Sequence, residues 1–146
     1  MEKNNNSLFY ICSLIEYISR KTKNYRYDVV KQLDNDLQRI YNYSDVFHCE
    51  PIEKVADDFI QRNNISCGKY DNVLKCKYTV PDYWDIGEVF ARLIEDCYEE
   101  NNVITGIKEV YSSWLANKIL NFNSDLYYQS REYIALCYKE GEVLLA

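Results

Sequence analysis

The chain predicts a mainly α, single-domain protein over residues 1–146, a compact bundle of about six helices with a short β hairpin or extended segment near residues 65–81. Three observations carry that expectation. Backbone breakers are scarce, with four glycines and two prolines, which favours long uninterrupted elements. Apolar residues recur at i, i+3, i+4 and i+7 along most of the chain, the spacing of one helical face. One stretch alternates at period two instead.

The first helix is expected from about Ser7 to Lys23, with Leu8, Ile11, Cys12, Ile15 and Ile18 on one face. A basic connector, Arg20 to Arg26, leads to a second helix from about Tyr27 to Tyr41, striped by Val30, Leu33, Leu37 and Ile40. The polar residues 41–45 break it. Pro51 opens a third helix, because its missing N–H would be unpaired in the first turn anyway. Ile52, Val55, Ala56, Phe59 and Ile60 form its apolar face, and Asn63-Asn64 ends it. Between Ile65 and Pro81, Leu74, Cys76, Tyr78 and Val80 alternate with Lys75, Lys77 and Thr79, as on a half-buried strand. Asp85, with Glu88 three residues on, is expected to cap a fourth helix along Ile86, Val89, Phe90, Leu93, Ile94 and Cys97. A fifth spans about Val103 to Asn121, with Val103, Ile107, Val110, Trp114 and Leu115 inward, and a last one ends at Gly141.

Composition narrows the function classes. The hydrophobic fraction of 47% fits a folded globule, and fifteen tyrosines reconcile it with a mean hydropathy of -0.45, since a phenol buries its ring and wets its hydroxyl. No apolar run reaches the roughly 18 residues needed to span a bilayer. Glu16 interrupts the apolar N-terminal stretch and no small-residue cleavage site follows, so a cytoplasmic protein without a secretory leader is expected. The six cysteines are expected to be free thiols, with Cys12, Cys97 and Cys137 on apolar helix positions. The net charge is -6, and residues 41–146 carry ten Lys/Arg against eighteen Asp/Glu. That acidity argues against general nucleic-acid binding and permits a basic protein partner.

Catalytic patterns are thin. With one histidine, His48-Cys49 is the single place where imidazole and thiol adjoin, and neighbouring residues rarely give nucleophile–base geometry. Cys67 and Cys76 are too far apart for a zinc knuckle. Asp57-Asp58 and Glu99-Glu100 sit on helices, where neighbours point about 100° apart and do not converge. Glu140-Gly141-Glu142 has the Glu-x-Glu form of ADP-ribosylating enzymes but lies at a helix end without their β-rich scaffold. The Arg-then-His signature of small helical ribonucleases is not met by Arg39 and His48. No phosphate loop, dinucleotide fingerprint, metal-binding HExxH or nucleophile elbow occurs, and no cofactor or metal is implied. Two clusters stand out for binding. Arg20, Lys21, Lys23 and Arg26 interleave with Tyr25, a pattern that could meet phosphates and a base. Tyr127-Tyr128 has the aromatic character of interface hot spots.

The segments LFYICSLIEYISRKTKN, VFHCEPIEKVADDFI and TVPDYWDIGEVFARLI are similar to a family of small uncharacterised Firmicutes proteins. The resemblance spans most of the chain and carries no catalytic motif. Members of that family are encoded near ADP-ribosyltransferase-like toxins, which implies an accessory or neutralising role. The expectation is therefore a non-enzymatic cytoplasmic protein-interaction module, antitoxin-like or accessory to a toxin, with a protein partner and no membrane association. The alternative is a small helical enzyme acting on nucleic acid through His48, with Cys49 beside it and the Arg20–Arg26 cluster, or a nucleic-acid-binding regulator using the connector 20–26.

Overall fold

The computed structural model describes residues 5–143. Among them the chain forms nine α-helices: α1 (Asn6–Thr22), α2 (Arg26–Leu33), α3 (Asp36–Asn42), α4 (Ser44–Phe47), α5 (Ile52–Arg62), α6 (Tyr83–Cys97), α7 (Val103–Tyr111), α8 (Trp114–Ile119) and α9 (Arg131–Glu140). Two 3-10 turns, Glu100–Asn102 and Leu126–Tyr128, precede α7 and α9. The α class stands, with more and shorter helices than the apolar stripes predicted.

Two expected helices are broken. Asp34, at φ +33°, ends α2, and its N–H closes on the Val30 carbonyl before the chain restarts as α3. Ser113, extended at ψ 157°, interrupts the stripe from Val103 to Asn121, and its hydroxyl caps α8 by accepting from the Ala116 N–H. The stripe survives both breaks because apolar periodicity records which side faces the core, not whether the backbone is continuous. Trp114, expected inward, sits at the break and stays exposed.

α1 is the hub. Its N-terminus is capped by the Asn5 side chain and its C-terminus closes on Lys23 at φ +56°. The expected apolar stripe is buried, but so are Tyr10, Ser13, Leu14, Glu16 and Ser19, so the helix is enclosed on nearly all sides. α2, α3, α4, α5 and α6 pack around it, and α7 and α9 lie outside α6. Ser19 and Thr22 survive burial by returning their hydroxyls to the Ile15 and Ile18 carbonyls.

α6 packs tightly on α1 where Gly87 meets Ser13. A Cβ at Gly87 would stand 2.1 Å from the Ser13 hydroxyl and 2.7 Å from its backbone, so no side chain fits without parting the helices. Gly87→Ala is expected to cost about 1–3 kcal/mol in urea unfolding despite alanine's better helix propensity. A stabilised variant would refute this close approach. The α6 N-cap is Asp82, in a reciprocal box with Asp85, rather than the expected Asp85 with Glu88. The box starts one turn earlier because Tyr83 and Trp84 join the helix.

The β hairpin expected near residues 65–81 is not formed. The segment is an irregular strap, and among the described residues no strand pairs with it. Its alternation does not mark a buried face, since Leu74 is 82% and Tyr78 69% exposed. Helix ends and side-chain amides take the place of a partner strand. The Gly68 and Tyr70 N–H groups donate to the Thr22 and Lys23 carbonyls at the end of α1. Asn123 accepts from the Lys77 N–H at 2.7 Å and donates to the Lys75 carbonyl at 3.0 Å, as a facing strand would. Buried Asn72 donates to the Leu120 carbonyl.

Candidate functional site

Two of the four cations of the basic connector turn inward. Glu16 is buried on α1, and Arg26, 1% exposed, donates to both its carboxylate oxygens, from Nε at 2.8 Å and Nη2 at 2.5 Å. Arg20, one helical turn beyond Glu16, donates to it from Nε at 2.7 Å and to the Pro81 carbonyl from Nη2 at 2.7 Å. Burial pushes the Glu16 carboxyl up, but the two guanidiniums outweigh it and hold the carboxyl below its ordinary range. Arg26 Nη1 is buried nearby without a hydrogen-bond partner among the described residues, and the buried Tyr111 hydroxyl faces the Cys12 thiol. Burial raises the Tyr111 phenol well above its usual value and brings the Cys12 thiol up to about 12. Glu16 is a structural centre that apolar periodicity does not reveal. Its signal was a lone acid in an apolar helix with Arg20 at i+4.

The rest of the connector stays at the surface. Lys21 pairs with Asp57, and Lys23 lies 4.0 Å from Asp71. Tyr25 is 54% exposed and stacks on Tyr70, with ring centroids 4.2 Å apart and planes 25° apart.

The second cluster lines a groove. The 3-10 turn containing Tyr127 and Tyr128 faces α6 and the start of α9 across a space of about 340 Å³. Val89, Leu93 and Ile134 supply apolar lining, and Tyr128 is 67% exposed. Asp85, Glu88, Arg92 and Arg131 supply charge; Arg92 is tied to Glu88 at 2.9 Å, and Arg131 to Asp96 at 2.8 Å and Glu95 at 3.1 Å. The two predicted clusters meet through Phe122. The Arg20 guanidinium lies 5.3 Å from the Phe122 ring centroid, and that ring packs edge-on against Tyr127. Pro81, which accepts from Arg20, lines the same groove.

His48 follows α4 and is exposed, its ring 5.1 Å from Tyr10 and 5.8 Å from Trp84. The neighbouring Cys49 thiol, also exposed, donates to the Asp45 carbonyl at 3.4 Å. The imidazole is thus an aromatic packing element, and the thiol points back to its own helix. Burial, followed by the charge of Glu50, raises the Tyr10 phenol to about 12, which leaves it a neutral partner for His48. Cys12 and Cys137 are buried, Cys97 and Cys76 half-buried and Cys67 exposed, with no disulfide among the described residues. Among the described residues, no three His, Cys, Asp or Glu side chains gather to hold a metal ion, and no helix is long and apolar enough to cross a membrane.

Comparison with protein-family models, curated proteins and solved structures returned no match.

Proposed function

We propose that this protein is a non-enzymatic interaction module whose contact site is the groove between α6 and the Leu126–Tyr128 turn. The observation that carries this reading is the juxtaposition of apolar lining, an exposed tyrosine and an acidic helix. Val89, Leu93 and Ile134 offer area to bury, and Tyr127 and Tyr128 offer rigid amphipathic rings with little entropy to lose. Residues 82–100, which hold α6, carry seven carboxylates against one arginine, so the groove suits a partner segment that places basic residues beside an apolar one. The ion pairs of Arg92 and Arg131 leave the neighbourhood net acidic and fix its rim. An antitoxin-like role, cytoplasmic and directed at an ADP-ribosyltransferase-like protein encoded nearby, accords with the family resemblance of the three segments quoted above.

The test is a paired binding and protection experiment. A photo-crosslinking phenylalanine analogue at Tyr128 should capture one major protein in the native cell. Tyr127→Ala with Tyr128→Ala should weaken binding of that protein by about 2 kcal/mol or more in calorimetry, with the helical dichroism kept. Co-expression should relieve the growth defect caused by the neighbouring toxin, and the double variant should fail to do so. Undiminished binding by the double variant would remove the groove from the reading.

A further inference from the structure

We propose a second binding surface, for single-stranded nucleic acid, built where the strap of residues 65–81 lies against the end of α1. The two segments are far apart in sequence and basic in different ways. Residues 20–26 contribute Lys21 and Lys23, which face Asp57 and Asp71, with Arg20 and Arg26 spent on Glu16. Residues 65–81 contribute Lys69, Lys75 and Lys77 against one acid, Asp71. The hydrogen bonds from Gly68 and Tyr70 to the Thr22 and Lys23 carbonyls, and from the Asn24 amide to the Ser66 carbonyl, hold the two segments as one surface. Among the described residues Lys69, Lys75 and Lys77 enter no ion pair, so their charges are available to phosphates.

The aromatic half of the surface is the stacked pair. Tyr70 is half-buried, covered on its inner side by Arg26, with the Lys75 ammonium 5.8 Å from its ring centroid. Tyr25 lies on Tyr70 with one face covered, and its exposure leaves the other face open. An open π-face held by a second ring, with an ammonium alongside, is the arrangement on which an unpaired base stacks while its phosphate meets the lysine. A lipid surface would favour projecting aliphatic side chains. Of the three large exposed apolar side chains on these segments, two are tyrosines and Leu74 alone is aliphatic. The protein's net charge of -6 does not forbid binding, because acids more than about 8 Å away are screened at physiological salt. This surface is independent of the groove reading.

The experiment uses the full chain and a fluorescein-labelled oligothymidylate of about 12 nucleotides, read by anisotropy at about 50 mM salt and above. The wild type is expected to bind, with a log–log salt slope of about -2 for the three free lysines. Tyr25→Ala should weaken binding about tenfold, and Tyr25→Phe should leave it unchanged. Lys75→Glu with Lys77→Glu should weaken it further and flatten the salt slope. Tyr127→Ala with Tyr128→Ala should bind as wild type, which separates this surface from the groove. Helical dichroism must be retained in each variant, and all the substituted side chains except Tyr127 are exposed. Absence of saturable binding by the wild type, equal binding by Tyr25→Ala, or lysine-dependent recruitment to phosphatidylserine vesicles without oligonucleotide binding would each overturn the proposal.

Discussion

Glu16→Ala is expected to destabilise the fold by about 3–5 kcal/mol, among the largest losses available to a single substitution in this chain. The reason is what remains. Without Glu16, the Arg26 guanidinium stays almost wholly buried with no anion, and Arg20 keeps the Pro81 carbonyl and the Phe122 ring but no carboxylate. Glu16→Leu combined with Arg26→Met should lose less than Glu16→Ala alone, because an apolar pair removes the desolvation penalty along with the attraction. The same pair sets a pH dependence. The Glu16 carboxyl is held below its unfolded value, so its contribution is present above the ordinary glutamate range, near roughly 4.3. It is lost as pH falls through the depressed folded value. Glu16→Gln should therefore flatten the acid limb of the stability profile. Urea melts across acidic pH decide it. A loss no larger than that of the exposed Glu53→Gln, or an unchanged acid limb, would show that the pair carries little.

Phe90→Ala is expected to cost about 3–5 kcal/mol, combining lost transfer energy with the cavity left behind. Phe90 is fully buried on α6 and lies nearly parallel to the Tyr111 ring of α7, with centroids 4.4 Å apart. Removing it strips a face from Tyr111, whose hydroxyl is already buried, and loosens the α6–α7 contact. The near-UV dichroism of the tyrosines should fall along with the urea midpoint. Val89→Ala, one position away but only half-buried, should lose clearly less. A Phe90→Ala loss under about 1 kcal/mol would mean that the site collapses around the gap.

How much of this was legible in the chain depended on the kind of information each residue carries. Leu8, Ile11, Ile15 and Ile18 announce their burial through spacing, because one helical face repeats every 3.6 residues whatever lies opposite. The burial of Tyr10, Ser13 and Glu16 on the same helix is silent in that pattern, since it depends on neighbours arriving from α4, α6 and α2. Leu74, Cys76, Tyr78 and Val80 misled for the complementary reason. Alternation marks a strand only when a sheet exists to receive it, and here Asn123 and the end of α1 take up backbone groups of the segment instead. Of the candidate site residues, Tyr127, Tyr128 and Tyr25 could be picked out by type. The i, i+4 spacing from Glu16 marked Arg20, but nothing local distinguished the inward Arg26 from the surface lysines 21 and 23.

By itself, then, the sequence determined the α class, the positions of most helices and most of the residues that fill the core. These follow from local propensity and periodicity, which act within a turn or two of the chain. Only the tertiary structure decided where charges and aromatics meet. It committed Arg20 and Arg26 to Glu16, set Gly87 against Ser13, and placed Tyr127 and Tyr128 over α6. It also laid Lys75 of the strap over Tyr70, the ring on which Tyr25 stacks. Such meetings join residues tens of positions apart, and their energies come from desolvation and close packing, which no local pattern records.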